Sequence, residues 1–595
     1  MIDVSWLPVA LAGLTLSVQF ERLLVPRPPL RRPTSSWLLH MGLWCVGFGL
    51  LYGLTARPLF SGVNVSLLWL LIVLVSNSKY HSLREPFVCA DFEYFSDAVK
   101  FPRLYLPFFG FAKAAVLAVG FVVYLWAGLS FEVPKARIEA LLPLVLGLGL
   151  LRLGHRPVKP SFNAEEDVLR WGLAASLWRY FWAARAKVDR VGLGSPFAAM
   201  PVPASSRDKP APTGATPDSI LENHLWERSP TGTTPDSILE NHLWERSPTG
   251  ATPDSRLESH LWERSPTGTT PDSRLENHLW ERACPAKGPA QATPLPDLIS
   301  IQSESFFDVR DLWPGVRPEV LGQFDLLARE SLAHGKLQVA AWGANTVRTE
   351  FAYLTGIPAE RLGVHRFNPY RVLARQGLPS IASRLKAMGY RTVCIHPYDG
   401  SFYGRDKVLP ALGFDEFIDV RAFNASEKAG PFIGDCAVAE KIRALLQAPG
   451  RKQPLFIHAV TMENHGPLHL ETVDAHELPT WFDRPLQPGM KDLAPYLRHI
   501  GNADRMLGML RETLLANPNE ALLCFFGDHV PILPEVYQAI GAPDGDTDYL
   551  LWSNRRQPGS NACPIRVEAL SSALLAQAHA PVAVARARTA AAGVA

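Results

Sequence analysis

The chain has 595 residues, which is too long for one ordinary domain, so at least two folding units are expected. A formal net charge of +2, without any dense block of lysine or arginine, argues against a nucleic-acid-binding protein. Seven cysteines without a CxxC pair provide no disulfide framework, and Cys394 and Cys524 lie in apolar runs that are typical of buried strands.

The apolar pattern of residues 1–160 predicts a polytopic α-helical membrane domain. Five apolar stretches approach the roughly 20 residues that a helix needs to cross a bilayer. They are residues 6–24, 36–54, 58–76, 104–128 and 136–154. The first is the weakest, because Glu21 and Arg22 interrupt its end. A cleaved signal peptide is not expected, since no basic segment precedes this stretch and further apolar stretches follow it.

Residues 161–190 predict a juxtamembrane amphipathic helix and not a sixth span. Arg170 and Arg179 lie inside the candidate stretch, and an arginine at the centre of a span costs roughly 3 kcal/mol. Tryptophan side chains at headgroup depth would hold such a helix at the interface. They are Trp171, Trp178 and Trp182.

The loops after the first and third stretches are basic. Their cations are Arg22, Arg27, Arg31 and Arg32, then Lys79, Arg84, Lys100 and Arg103. The positive-inside rule places both loops in the cytoplasm and, after five crossings, the C-terminal region as well.

Residues 191–294 are interpreted as a linker, because the segment is rich in proline and serine. Within it, an 18-residue unit (TGATPDSILENHLWERSP) runs four times over residues 213–284. This period is too short for the common helical repeat families, and near-identical copies are typical of a tolerated spacer. A histidine recurs in each unit, but no second ligand type recurs beside it, so a metal site is not predicted here.

Residues 295–577 predict an α/β domain with a mainly parallel central sheet, since short apolar runs alternate with helical stretches. Four runs are predicted strands: residues 298–303, 391–396, 455–460 and 521–526. Polar residues follow each of them, where open α/β sheets bind ligands. The alanine-rich tail, residues 578–595, is expected to be disordered.

Two groups of residues in this region suggest a metal site and a nucleophile. Asp528 and His529 follow a strand, and a carboxylate with an imidazole is a normal donor set for Mn²⁺ or Zn²⁺, to which Glu304 can add an oxygen. Thr346 precedes a helical stretch, so its hydroxyl is either an activated nucleophile or a plain helix cap, and Asn345 is the alternative cap.

Six motifs occur in one order: IQSESF at Glu304, NTVRTEF at Thr346, FYGRD at Arg405, LGFDEF at 412–417, TMENHGP at His465 and FGDHV at Asp528. Together they resemble the lipoteichoic acid synthase and phosphoglycerol transferase family of the alkaline-phosphatase superfamily. The resemblance covers most of residues 295–555, and the apolar stretches upstream fit that family's layout.

The resemblance implies a site, residue by residue. Glu304, Thr346, Asp528 and His529 match the ligands of one divalent cation, with Mn²⁺ expected and Mg²⁺ or Zn²⁺ as alternatives, and Thr346 is also the nucleophile. Other residues match positions that contact the phosphoglycerol group; they are His396, Tyr403, Arg405 and His465. Arg405 would clamp the phosphate, and His465 or His396 would carry a proton. Tyr403 stands where tryptophan is usual and Gly404 where asparagine is usual, which leaves the head group open.

The function implied is transfer of a phosphoglycerol head group from a phosphatidylglycerol-like lipid to a glycan or glycolipid acceptor, through a phosphothreonine-type intermediate. The family works on the outer face of the bacterial cytoplasmic membrane, which conflicts with the loop charges. The alternatives are a phosphoethanolamine transferase, a phosphodiesterase or sulfatase-like hydrolase, and a catalytically silent envelope scaffold. The wider sulfatase branch carries its catalytic cysteine or serine in a CxPxR motif. No such motif surrounds Thr346, so a true sulfatase is disfavoured.

Overall fold

The computed structural model describes residues 5–93, 111–156, 158–190, 192–199, 294–559 and 562–579, except the side chains of 111–118 and 199. All of them but Pro294 belong to one compact unit of the chain. The four repeats and the tail beyond residue 579 lie outside the described residues, so the interpretations given to them stay predictions.

The N-terminal part is helical. Its helices are α1 (Leu7–Glu21), α2 (Thr34–Thr55), α3 (Pro58–Leu83), α4 (Phe111–Phe131), α5 (Leu141–Gly154), α6 (Ala164–Trp171) and α7 (Leu173–Ala183). Among the residues whose side chains are described, which in α4 are Val119–Phe131, only α2 and α3 are long and apolar enough to cross a bilayer.

The prediction of five spans is therefore not confirmed. Helices α1 and α5 have 15 and 14 residues, so they would extend about 22 and 21 Å against a hydrocarbon core of about 30 Å. The first helix ends at Glu21, whose buried carboxylate lies 2.7 Å from the guanidinium of Arg32. Residues 104–110 of the fourth predicted span lie outside the description.

Two helices replace the single juxtamembrane helix predicted over residues 161–190. The chain breaks at Gly172, where φ is +78°, a value that glycine adopts without steric cost. Trp171 is buried, with the guanidinium carbon of Arg179 4.5 Å from the ring centroid, so it does not face the headgroups. Trp178 is half-buried and Trp182 is exposed.

The start of the predicted linker packs onto the predicted catalytic region, residues 295–577. Leu193 and Phe197 are buried in one of its hydrophobic clusters, and the hydroxyl of Ser195 donates to the carbonyl of Thr355 at 2.7 Å. The folded part of the chain therefore extends past residue 190, where the linker was predicted to begin.

The catalytic region is built on a sheet of eight strands. The strands of the region are β1 (Asp297–Ser303), β2 (Ala333–Gln338), β3 (Arg391–Ile395), β4 (Glu416–Ile418), β5 (Lys428–Ala429), β6 (Phe432–Ile433), β7 (Leu455–Val460), β8 (Ala521–Gly527), β9 (Thr547–Ser553) and β10 (Ile565–Arg566). The sheet order is β10-β2-β9-β8-β1-β7-β3-β4, and β5 pairs with β6. Only β9 runs against its sheet neighbours, which confirms the mainly parallel sheet.

Helices cover this sheet. They are α8 (Pro196–Ala199), α9 (Gly322–Glu330), α10 (Thr346–Thr355), α11 (Pro369–Val372), α12 (Ile381–Ala387), α13 (Arg405–Ala411), α14 (Asp435–Leu446), α15 (Leu478–Trp481), α16 (Leu493–Leu515), α17 (Pro534–Ile540) and α18 (Val567–His579). Alternate residues of the central strands enter two hydrophobic clusters, with Ile299 in one and Leu298, Cys394 and Cys524 in the other. Strands covered on both faces are continuous apolar runs, which is why the sequence pattern located them.

Candidate metal and nucleophile site

Three of the four predicted metal ligands meet at the carboxyl edge of the sheet. Strands β1 and β8 are parallel neighbours, with Ser303 opposite Gly527, so the residues that follow them are brought together. Glu304, Asp528 and His529 are buried, and one ligand atom from each lies within 4.8 Å of the others. This arrangement could hold a divalent cation.

The orientation of His529 suits a metal ligand. Its Nδ1 lies 3.1 Å from the carbonyl oxygen of Val530, which can only accept, so Nδ1 carries a hydrogen. Its Nε2 faces the carboxylates, at 3.5 Å from Oε1 of Glu304 and 3.3 Å from Oδ2 of Asp528. Two carboxylates and an imidazole nitrogen that face one another are a normal donor set for a divalent cation.

The contacts of the Asp528 carboxylate show whether these residues fit a cation. Its Oδ1 accepts the backbone N–H of Ser305 at 2.8 Å, whereas its buried Oδ2 has no hydrogen-bond partner among the described residues. Burial raises the pKa of Asp528 to about 7 and the charge of Glu304 adds to this, while His529 and hydrogen bonds act in the opposite direction. A buried carboxylate oxygen without a hydrogen-bond partner, beside an imidazole nitrogen, fits a divalent metal ion.

Thr346 is the first residue of α10, one position earlier than the predicted helix start at Val347, and Asn345 takes the cap position. Asn345 before it has a φ of +70° and turns the chain into the helix without a side-chain cap. The hydroxyl of Thr346 donates to Oε2 of Glu304 over 3.4 Å. First-turn N–H groups favour an anion at this end of a helix, so the threonine hydroxyl lies where a phosphate can bind.

Sequence reasoning missed Ser305, which organises the ligands. Its hydroxyl donates to Oε1 of Glu304 at 3.0 Å and its backbone N–H binds Asp528, with a φ of +52° that turns the chain back over the sheet edge. The signal was its place directly after Glu304, where a hydroxyl can orient the neighbouring carboxylate.

Arg405 and His396 lie in a buried network with Glu350, another residue that sequence reasoning left without a role. The Nε and Nη2 atoms of Arg405 lie 3.2 and 2.7 Å from Oε2 of Glu350, and Nη1 lies 3.2 Å from Nε2 of His396. Both charged side chains are essentially inaccessible to solvent, at 1% and 0% exposure. Three of the five N–H groups of Arg405 are thereby used, so its role as a phosphate clamp stays a prediction.

His396 is held as a neutral imidazole. Its Nδ1 lies 3.0 Å from the carbonyl oxygen of Val460, and its Nε2 accepts from Arg405. Burial first, and the charge of Arg405 next, lower its pKa well below the ordinary value. Since both nitrogens are engaged, the geometry disfavours His396 as a proton carrier.

His465 and Tyr403, the other predicted substrate contacts, are half-buried. Nδ1 of His465 lies 2.8 Å from the carbonyl oxygen of Gly466, so Nδ1 carries a hydrogen. Tyr403 has a φ of +57°, and its ring centroid lies 5.4 Å from the guanidinium carbon of Arg405. Their contacts with substrate stay predictions.

A buried histidine secures the loop that carries His465. Nδ1 of His499 lies 2.9 Å from Oε1 of Glu463, and its Nε2 lies 3.0 Å from Oε2 of Glu471. Glu463 also accepts the backbone N–H of Asp435 at 2.7 Å. The two glutamates stand on either side of His465 in the chain, so His499 fixes both ends of its loop.

We expect this clamp to weaken as pH rises. Burial acts to lower the pKa of His499, but hydrogen bonds and charges from Glu463 and Glu471 raise it to about 9, against about 6.5 unfolded. The stabilisation is complete below pH 6.5 and is lost as pH rises through 9. Urea unfolding of wild type and His499→Gln should give a difference that shrinks by about 3 kcal/mol between pH 6 and 9.5. A difference that is the same at both pH values would contradict this.

The comparisons place the catalytic region among known proteins. Residues 296–580 match the Sulfatase family model. The capsular polysaccharide biosynthesis protein RkpI of Rhizobium meliloti (strain 1021) is 31% identical over 257 residues, which cover 43% of this chain and 45% of that protein. Lipoteichoic acid synthase 1 of Bacillus subtilis (strain 168) is 28% identical over 100 residues, covering 17% of this chain and 15% of that one. The chain thus spans less than half of each of these curated relatives.

Among solved structures, the Streptococcus pyogenes phosphoglycerol transferase GacH, in complex with sn-glycerol-1-phosphate, is similar. The TM-score is 0.39 at 22% identity, over 47% of this chain and 74% of that one. The match of residues 296–580 to the Sulfatase family model, together with the lipoteichoic acid synthase relative, confirms the family resemblance that the motifs indicate.

Proposed function

We propose that the chain transfers a phosphoglycerol-type head group from a membrane phospholipid to a glycan or glycolipid of the cell envelope, through a covalent intermediate on Thr346. The observation that carries this proposal is the convergence of Glu304, Asp528 and His529 beside the Thr346 hydroxyl. Relatives named for capsular polysaccharide biosynthesis and for lipoteichoic acid synthesis support an envelope polymer as acceptor.

Glu304, Asp528 and His529 would hold one divalent cation together with Thr346, and Mn²⁺ is the first candidate. When bound, such a cation lowers the pKa of a hydroxyl ligand and neutralises phosphate charge. Thr346 Oγ1 attacks phosphorus, and the phosphorus–oxygen bond to diacylglycerol breaks as the new bond forms. An acceptor hydroxyl then attacks the same phosphorus and releases the threonine oxygen. We assign both proton transfers to His465, because both nitrogens of His396 are engaged. His465 gives a proton to the leaving diacylglycerol oxygen in the first step and takes the proton of the acceptor hydroxyl in the second.

The test is mass spectrometry of purified protein incubated in vesicles with phosphatidylglycerol or with phosphatidylethanolamine. We expect a phosphoglycerol adduct on the Thr346 peptide with the first lipid. A phosphoethanolamine adduct with the second lipid alone would favour the alternative transferase. Free glycerophosphate without glycan product would favour a hydrolase, and no adduct from either lipid would contradict the proposal.

Metal binding gives a second measurement. We expect removal of divalent ions by a chelator to lower the melting temperature, and Mn²⁺ at 100 times its Kd to restore about 2.7 kcal/mol of stability. Asp528→Asn should lose this response, because a ligand charge is gone. The exposed Asp544→Asn is the matched control and should keep it. A response that is equal in both variants would place the ion elsewhere.

We also propose that the catalytic region lies on the outer face of the cytoplasmic membrane, where envelope glycans are. If α2 and α3 both cross, residues 34 and 83 share one side, and Glu85 on that side contacts the catalytic region. The loop charges favour a cytoplasmic placement instead. If the proposed outer-face placement is right, a periplasm-dependent reporter fused after residue 290 is active. Activity of a cytoplasm-dependent reporter alone would contradict the proposal.

A further inference from the structure

A salt bridge joins the nucleophile helix to the end of a candidate membrane span. Arg348 lies two residues after Thr346, and its Nη1 and Nη2 lie 2.9 and 3.1 Å from the two carboxylate oxygens of Glu85. Its Nε donates to the carbonyl of Phe367 at 3.2 Å. A planar guanidinium with contacts on three sides has a fixed orientation.

Glu85 is held from the membrane side by α3. Lys79, in the last turns of that helix, lies 2.6 Å from Oε1 of Glu85 and 2.7 Å from Oδ2 of Asp91. Burial acts to raise the pKa of Glu85, but the charges of Arg348 and Lys79 lower it to about 2. Glu85 is therefore an anion shared by one cation of the span and one of the nucleophile helix.

The backbone that leads into Thr346 touches the same end of α3. Gly343 has a φ of +67°, and a Cβ there would lie 3.0 Å from the carbonyl oxygen of Ser82. The guanidinium carbon of Arg84 lies 4.5 Å from the ring centroid of Trp342. A cavity of about 370 Å³ opens between these segments, and its lining includes Glu85, Asn345 and Arg348.

An apolar cluster completes this junction. It contains Val88, Ala164, Tyr180, Val364 and Phe367, so it joins the loop after α3, the juxtamembrane helices and the catalytic region. The rings of Tyr180 and Phe367 stack with centroids 5.5 Å apart. The salt bridge therefore belongs to a packed interface, which is more rigid than an isolated surface pair.

We propose that Arg348 is a positioning residue that, through Glu85, holds Thr346 beside the membrane end of α3, so that the donor phosphate is attacked while its lipid remains in the bilayer. The inference rests on the proposed function and adds that the donor lipid is still in the bilayer when its phosphate is attacked. Since a two-chain lipid leaves a bilayer only at high free-energy cost, a nucleophile fixed at the membrane surface reaches a donor that a freely moving domain would meet rarely.

The test compares two substrates in full-length protein reconstituted in vesicles: phosphatidylglycerol in the bilayer, and bis(p-nitrophenyl) phosphate in water. Glu85→Gln and Arg348→Gln are each expected to lower kcat/KM for the lipid about 10-fold and for the soluble diester less than about 2-fold. Glu85→Asp keeps the carboxylate between Lys79 and Arg348 and should therefore lose less of the lipid turnover than Glu85→Gln. Glu416→Gln removes an exposed pair with Arg391 and should change neither rate.

Turnover of the soluble diester also reports that each variant is folded. An equal loss on both substrates, or lipid turnover unchanged in both single variants, would overturn the positioning role while leaving the proposed function in place. Wild-type protein that cleaves the soluble diester but not the bilayer lipid would overturn the inference as well. Turnover of neither substrate by wild type would overturn both proposals.

Discussion

Thr346→Ala is expected to lower the rate of head-group transfer by on the order of 10⁴-fold. The alanine variant lacks the only atom that can form the covalent phosphate ester in the proposed mechanism. The Thr346 hydroxyl lies 3.4 Å from Oε2 of Glu304 at the first position of α10. The backbone turn at Asn345 needs no hydroxyl at position 346, so the helix and the three remaining ligands should form in the variant.

Thr346→Ser is the conservative control, because it keeps the oxygen and removes a methyl group. It should retain activity within about 10-fold of wild type and form the same adduct. Thr349→Ala is a second control on the same helix. The Thr349 hydroxyl binds the carbonyl of Asp528 at 2.7 Å, so its loss should reduce stability without preventing the adduct.

Rates are measured as lipid consumed and as adduct formed in the presence of Mn²⁺. Residual transfer above about a tenth of wild type in Thr346→Ala would show that another group is the nucleophile. An adduct on a different residue of that variant would identify it.

The sequence predicted the part of this site that depends on local pattern. Strands β1, β7 and β8 begin and end within one residue of their predicted bounds, because buried parallel strands are apolar runs that polar residues terminate. Glu304, Asp528 and His529 were expected to converge for the same reason, since each follows a strand of one sheet. Convergence needs only the order of neighbouring strands, which the parallel topology restricts.

The remaining features depend on contacts between distant residues, which no local pattern contains. Arg348 and Glu85 are 263 positions apart, and Arg405 and Glu350 are 55 apart. Hydropathy likewise gives the apolar stretches of the N-terminal region but not the helix ends. Glu21, the last residue of the first helix, pairs with Arg32, and the break between α6 and α7 lies at Gly172, where φ is +78°.

The Glu350–Arg405 pair leads to the second large effect, which is on stability. We expect Glu350→Gln to lower the free energy of unfolding by about 3–5 kcal/mol, because it leaves the guanidinium of Arg405 buried without its counter-charge. Among domains of this size such a loss lowers the melting temperature by roughly 10 °C. Arg405→Ala should have a similar effect, since it leaves the Glu350 carboxylate buried and unpaired.

Glu360→Gln is the matched control. Glu360 pairs with Arg566 through both carboxylate oxygens, at 2.8 and 3.0 Å, but the two side chains are 61% and 48% exposed. The chemical change and the kind of partner are the same, and only burial differs. Surface pairs contribute about 0–1 kcal/mol, so this variant should melt within about 3 °C of wild type.

The measurement is thermal unfolding of both variants, followed by tryptophan fluorescence with and without Mn²⁺. Equal shifts in the two variants would mean that solvent reaches the Glu350 pair and screens it as it does at the surface. A large shift in Glu350→Gln alone, with the stabilisation by Mn²⁺ retained, would show that the buried Glu350–Arg405 pair and the cation site contribute to stability separately. The cation ligands would then assemble independently of the Arg405 network, and Arg405 would act by holding His396 and the substrate side of the site.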